Sequence, residues 1–152
     1  MNENLRILGI DPGDKRIGLA ISDLTGTIAN PLSVLIHVKR EDDARTIVSI
    51  AEKNEVKFII VGLAISEDGE ISPSGRKAER LADMIRSFTR IPVILWDESG
   101  STNDAKLARK MMGVKRKHLY GHMDDLAATV ILQSYLDAHM NGEQSITDPN
   151  ME

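Results

Sequence analysis

The sequence has 152 residues, of which 41% are hydrophobic and 28% are charged, and the net charge is −4 at pH 7. These values are typical of a single globular domain with an adequate core, and they predict no overall attraction to nucleic acid, although local clusters of cations can override that balance. The absence of cysteine excludes disulfides, thiolate metal sites and cysteine nucleophiles. No signal-like start and no long apolar run is present, which predicts a cytoplasmic protein without a membrane partner.

The first part of the chain predicts three strands and a helix. Leu5 to Asp11 and Arg16 to Asp23 are apolar runs joined by a Pro-Gly turn, which favours an antiparallel hairpin. Thr27 to Val38 supplies a third strand, and Pro31 marks a break or an edge inside it. Apolar residues at helical spacing predict a helix over Glu41 to Asn54.

The second part alternates strands and helices. Lys57 to Leu63 and Pro92 to Trp96 are continuous apolar runs, as expected of strands covered on both faces. Between them we expect a polar loop over Ala64 to Gly75 and a helix that opens at Pro73 or Ser74 and runs to about Phe88. Two further helices are predicted, with the following bounds: Ser101 or Thr102 to Met112, and from Asp124 onward.

This order of elements predicts an α/β fold, a mixed five-stranded sheet with helices on both faces. One domain over residues 1–140 accounts for all the patterned sequence. Residues 141–152 are polar and unpatterned, and we expect them to form a disordered tail.

Acidic residues stand where several of the predicted elements begin or end. Asp11 ends the first strand, and Asp97 and Glu98 end the last one. Asp124 and Asp125 occupy the first turn of the final helix. Each alone has an ordinary explanation as a turn residue, a helix cap or part of a solvated loop. Together they suit one or two Mg²⁺ or Mn²⁺ ions, and two ions about 4 Å apart would activate a water for phosphodiester hydrolysis.

Basic residues lie beside these acids. Lys115, Arg116 and Lys117 precede the final helix in a loop between Gly113 and His122, and would hold the phosphates of a polyanionic substrate. An ordinary solvated loop is the alternative. Lys15 and Arg16 would contact phosphate or neutralise the acidic cluster when no metal is bound. The histidines show no ligand spacing typical of zinc.

Four blocks of the chain resemble the YqgF/RuvX family of Holliday junction resolvases or pre-16S rRNA nucleases, which is similar in fold to ribonuclease H. Together they span roughly residues 5 to 138, and they are Gly9 to Gly18, Ile60 to Leu63, Leu95 to Glu98 with Ser101-Thr102, and Asp124 with Leu126 to Ala128 and Ile131 to Leu136. The resemblance implies an RNase H-like hydrolase with catalytic acids at Asp11, at Asp97 or Glu98, and at Asp124. Asp11, Asp97 and Asp124 are taken as its metal ligands.

The chain departs from the family pattern at two places. Ser99-Gly100 stands where the family usually has Arg-Leu, and Ala64 stands where the family usually has proline. The missing arginine removes a contact to phosphate or to a partner. A nucleic-acid-binding module without catalysis is therefore an alternative to a nuclease.

The favoured function is metal-dependent cleavage of structured nucleic acid, with pre-16S rRNA 5′-end processing in ribosome biogenesis ahead of Holliday junction resolution in recombination and repair. The expected partner is structured RNA or branched DNA. Junction cleavage would need a homodimer, and the sequence leaves monomer and homodimer open. A nucleotide-binding role like that of actin and sugar kinases is disfavoured, because those proteins duplicate the first hairpin and this chain has one copy.

Overall fold

The computed structural model describes residues 4–63, 71–97 and 124–139. The predicted helix over residues 101–112, the basic loop and the C-terminal tail lie outside these residues. Within them the elements are β1 (Ile7–Asp11), β2 (Arg16–Ser22), β3 (Ala29–Ile36), α1 (Arg40–Lys53), β4 (Phe58–Leu63), α2 (Pro73–Arg86), β5 (Val93–Asp97) and α3 (Asp124–His139).

The strands form one mixed sheet in the order β3-β2-β1-β4-β5. β1 and β2 form the predicted antiparallel hairpin, and β3 continues it as a second antiparallel pair. β4 and β5 then run parallel to β1. The carboxyl ends of β1, β4 and β5 therefore meet at one edge of the sheet, where functional groups gather in folds of this kind.

Helices cover both faces of the sheet, as predicted. One face carries α1 and α2 over a buried cluster that includes Leu8 and Ile10 of β1, and Ile59 and Val61 of β4. The other face carries α3 over a second cluster that includes Ile7, Ile60, Ala128, Leu132 and Tyr135. Successive residues of β1 thus alternate between two cores, as residues of a strand covered on both faces do.

β3 is an edge strand with an irregularity at its proline. Leu19 pairs with Ser33 and Ala20 pairs with Pro31, so Leu32 is an extra residue that bulges from the ladder. Proline cannot donate a ladder hydrogen bond and is tolerated at such a position. The break or edge predicted at Pro31 is confirmed.

The helix boundaries differ from the predicted ones by one or two residues. α2 begins at Pro73, the earlier of the two predicted starts, because the Ser72 side chain caps it by accepting a hydrogen bond from the Gly75 N–H at 3.0 Å. α1 begins at Arg40, one residue before the predicted start. No helix in the described part of the chain is long and apolar enough to cross a membrane.

Asp23 closes the connection between β2 and β3. Its carboxylate accepts hydrogen bonds from the Thr25 hydroxyl and from the backbone N–H groups of Thr27 at 2.8 Å and Ile28 at 3.1 Å. The Thr25 bond, together with the backbone bonds, lowers the pKa of Asp23 from 3.8 to about 2. These bonds favour the ionised carboxylate, so the folded state binds a proton there less readily than the unfolded chain does.

Asp23 is therefore expected to stabilise the fold above pH 3.8 and to lose that contribution as the pH falls towards 2. Asp23→Asn keeps an acceptor oxygen but cannot titrate. In urea unfolding between pH 5 and pH 2, the variant should lose less stability with acidification than the wild type does. Parallel losses in the two proteins would contradict this role of the carboxylate.

Candidate active site

Asp11 lies at the carboxyl end of β1 and is half-buried. Its partner on β2 is Gly18. On β4, Val61 pairs with Ile10, and Gly62 is the next residue along the strand. Both strands beside Asp11 thus carry glycine at its level, and a glycine inside a strand often marks a place where a ligand approaches the backbone closely.

The turn after Asp11 is tight because Gly13 has no side chain. A Cβ on Gly13 would lie 2.3 Å from the carbonyl oxygen of Arg16. No other residue fits there without opening the turn, because real Cβ atoms do not approach backbone oxygen so closely. Gly13 therefore allows the tight turn that places Lys15 and Arg16 next to Asp11 along the chain.

α3 packs against β1 at a glycine. A Cβ on Gly9 would lie 2.7 Å from the Leu132 Cβ and 3.5 Å from the Ala128 carbonyl oxygen. Farther along α3, the Gln133 side chain accepts a hydrogen bond from the Ala29 N–H at 2.9 Å, and Ala29 pairs with Ser22. α3 therefore runs from the Asp11 end of β1 towards its start.

The helix start is level with the end of β1. Asp124 precedes Ala128 by four residues, or about 6 Å along a helix, and Asp11 follows Gly9 by two residues, or about 6.6 Å along a strand. Because Ala128 lies against Gly9, the backbone at Asp124 and the backbone at Asp11 reach the same end of the sheet. The backbone start of α3 and the backbone end of β1 thus lie at one end of the sheet.

Asp97 ends β5 at the same edge but falls on the other face by the alternation of the strand. Val93 and Leu95 contact the core under α1 and α2, whereas Ile94 and Trp96 contact the core under α3. Asp97 pairs with Leu63, a member of the first core. Asp11 instead shares its face with Ile7 and Gly9, which lie under α3. The register does not bring Asp97 and Asp11 to one face.

Trp96 anchors the end of β5 to α3. Its indole N–H donates to the Ser134 hydroxyl at 3.1 Å, and its ring meets the Tyr135 ring edge-on with centroids 5.3 Å apart. His139 stacks on Tyr135 at 4.3 Å. Trp96 is partly buried and packs against the core under α3. The polar anchor to Ser134 carried no signal in the sequence.

The structure describes some of the other predicted site residues. Lys15 and Arg16 are exposed at the start of β2, and neither forms an ion pair with another described residue. Within the described ranges no three His, Cys, Asp or Glu side chains come close enough to hold a metal ion. The remaining predicted residues lie outside the described chain or the described side chains: Glu98, Lys115, Arg116, Lys117 and the Asp124 carboxylate.

A family model with the description RuvX, Holliday junction resolvase, matches residues 5–138. The chain belongs to the RuvX family. Two relatives carry the name "Putative pre-16S rRNA nuclease": one from Caldanaerobacter subterraneus subsp. tengcongensis is 40% identical, and one from Thermoanaerobacter pseudethanolicus is 42% identical. Each alignment covers 90% of this chain and 99% of the relative.

Solved structures similar to this RuvX-family chain include RuvC of T. thermophilus in complex with a Holliday junction substrate. It has a TM-score of 0.59 at 14% identity, over 88% of this chain and 94% of that one. The fowlpox virus Holliday junction resolvase has a TM-score of 0.55 at 18% identity, over 88% and 99% of the two chains. These similarities show the RuvC-like, RNase H-type fold that the sequence predicts.

Replacing Gly9 is expected to push α3 away from β1. Gly9→Ala adds a Cβ that must displace Leu132, so the free energy of unfolding should fall by about 1–3 kcal/mol, a typical cost of overpacking. Urea denaturation measures this loss. Ser49→Ala, on the exposed side of α1, is a control expected to change stability little. A Gly9→Ala protein as stable as the wild type would contradict the close packing of α3.

Proposed function

We propose that this chain hydrolyses phosphodiester bonds in structured RNA with the help of Mg²⁺ or Mn²⁺, and that precursor 16S rRNA is its substrate. Membership of the RuvX family establishes the coarser part of this statement: the chain is a nuclease, a hydrolase that acts on nucleic acid. The choice of RNA rests on its relatives, which are named pre-16S rRNA nucleases. On this proposal the protein acts in the cytoplasm.

The observation that carries the proposal is the surroundings of Asp11. A half-buried carboxylate stands at the end of the central strand β1, with Gly18 beside it on β2 and the start of α3 at its level. Carboxylate oxygens are the ligands that Mg²⁺ and Mn²⁺ prefer. Gly18, the residue paired with Asp11, places no side chain beside this carboxylate.

Asp11 and Asp124 are the two ligands that the backbone supports. Asp124 is preferred over Asp125 because it lies four residues before Ala128, on the same row of the helix as the residues that cover Gly9. Asp97 was predicted as the third ligand, with Glu98 as a catalytic acid. The alternation of β5 puts Asp97 on the face of the sheet that α1 and α2 cover, so we favour Glu98, the next residue in the sequence, as the third ligand.

The acidic residues and the basic residues would have different roles. Asp11, Asp124 and Glu98 would hold the ion, which when bound supplies charge to stabilise the phosphodiester being cleaved and to activate water. Lys15 and Arg16 follow Asp11 at the other end of the turn between β1 and β2, and both are exposed. They would position the phosphate backbone of the substrate. Lys115, Arg116 and Lys117 would add contacts of the same kind. Such contacts carry little sequence information, so recognition would depend on the shape of the RNA.

Resolution of a Holliday junction is the second candidate. The RuvX family is described as a Holliday junction resolvase family, and RuvC has a similar fold. A junction has two strands to cut, so this activity would require two copies of the site in a homodimer. The two candidates are separated by supplying precursor rRNA and a four-way DNA junction to the same protein preparation.

Asp11→Asn should abolish Mn²⁺-dependent cleavage of precursor 16S rRNA, with a loss of at least about 100-fold, because the amide removes a negative ligand from the ion. Gel analysis of end-labelled RNA measures the rate. Asp83→Asn, on the exposed side of α2, is the matched control and should cleave like the wild type. Equal cleavage by Asp11→Asn and the wild type would show that the activity belongs to a contaminant.

The two acids at the end of β5 are expected to behave differently. Glu98→Gln should reduce cleavage as strongly as Asp11→Asn does, whereas Asp97→Asn should retain most of the activity because Asp97 falls on the opposite face. Isothermal titration with Mn²⁺ should show weaker binding in the first variant alone. The reverse ranking of the two variants would assign the ligand to Asp97.

A further inference from the structure

A concave surface lies at the same edge of the sheet as Asp11, on the face covered by α1 and α2. It is a cleft of about 280 Å³. The turn after β1 forms one wall, the segment between β3 and α1 forms the second, and α2 forms the third. The residues that line it and matter here are Asp14, His37, Lys39, Arg40, Asp43 and Lys77.

Cations are in excess in this cleft. Lys39, Arg40 and Lys77 come from the starts of two different helices, and all three are exposed. Lys77 pairs with Asp14 at 2.5 Å, and this contact lowers the pKa of Asp14. In the described part of the chain, Lys39 and Arg40 form no ion pair. Neither of them was singled out by the sequence.

A buried carboxylate holds one wall of the cleft in place. Asp43 is only 5% exposed. It accepts hydrogen bonds from the His37 ring and from the Val38 N–H at 3.1 Å, and its own N–H donates to the Lys39 carbonyl oxygen at 2.8 Å. These bonds hold the backbone before α1, which places Lys39 and Arg40 at the cleft.

The same contacts determine which ligand fits. A divalent cation does not, because Asp43 is already bonded to His37 and Asp14 is bonded to Lys77, and three cations border the remaining space. An anion with several acceptor oxygens does fit. The Lys77–Asp14 pair is exposed on both sides, and exposed pairs are weak, so Lys77 is available to a more highly charged partner.

We infer that this cleft binds a backbone phosphate of the nucleic acid whose cleaved phosphodiester lies at Asp11. The inference rests on the proposed function and adds a second contact point for the same substrate. The turn of Pro12 to Lys15 lies between the two positions, and its Asp14 borders the cleft, so the strand would cross this turn to contact both. Lys77 exchanges Asp14 for the phosphate when the strand binds, while Lys39 and Arg40 hold it from the other side.

The test measures binding and not cleavage. A fluorescein-labelled RNA hairpin with single-stranded ends is titrated with wild-type protein in EDTA, where no metal-dependent cleavage occurs. Fluorescence anisotropy at several salt concentrations gives Kd and its salt dependence. Lys77→Gln and Lys39→Gln should each raise Kd by about five-fold, and each should reduce the slope of log K against log salt by about one contact.

Two further variants make the test specific. Asp14→Asn removes the competitor of Lys77 and should lower Kd, the opposite sign to Lys77→Gln. Lys57→Gln changes an exposed lysine at the other end of the sheet and should leave Kd close to the wild-type value. Unfolding midpoints show whether each variant is folded. If either Lys77→Gln or Lys39→Gln does not fold, the other variant alone provides the test.

The inference is overturned if wild-type protein does not bind the hairpin, if Lys77→Gln and Lys39→Gln behave like Lys57→Gln, or if Asp14→Asn weakens binding as Lys77→Gln does. Its failure is distinguishable from that of the nuclease proposal. A protein that cleaves precursor rRNA with a KM indifferent to Lys77 refutes the cleft alone. A protein with the expected binding pattern and no metal-dependent cleavage refutes the nuclease alone.

Discussion

The close contact between α3 and β1 at Gly9 determines where α3 begins relative to Asp11. The Leu132 Cβ stands where a side chain on Gly9 would be, so the helix rests almost on the strand backbone. A helix held this close has little freedom to slide or rotate, because neighbouring side chains interlock at native density. The position of Asp124 at the end of β1 follows from that contact and from the rise of the two elements.

The alternation of β1 and β5 between two cores sorts the charged groups at the sheet edge. In β1, the residues at odd positions, such as Gly9, lie on the face of the sheet that α3 covers. The residues at even positions, such as Ile10, lie on the face that α1 and α2 cover. Asp11 belongs to the first set, while the cleft with Lys39 and Lys77 lies on the second. Asp11 and the cations of this cleft thus lie on opposite faces of the sheet.

Much of this fold could be predicted because its signals are local. Apolar runs identified the strands, the Pro-Gly pair identified the hairpin and Pro31 identified the edge. The face of Asp97 could not be predicted, since a continuous apolar strand such as β5 has no polar side to reveal its register. The cleft was also hidden, because its cations come from separate helices and only the buried Asp43 and its bond to His37 order the wall between them.

Local placement of cations matters more in this chain than in a basic protein. With a net charge of −4, a polyanion gains nothing from the molecule as a whole, and any attraction must come from cations concentrated at one edge. Ser99-Gly100 stands where the family usually has arginine followed by leucine, so one such cation is missing. Lys15 and Arg16 follow Asp11 across the turn, and Lys77 lies beyond the turn in the cleft. On the proposed function, a substrate strand that crosses the turn would meet these cations in succession, and that path would align its phosphodiester with Asp11.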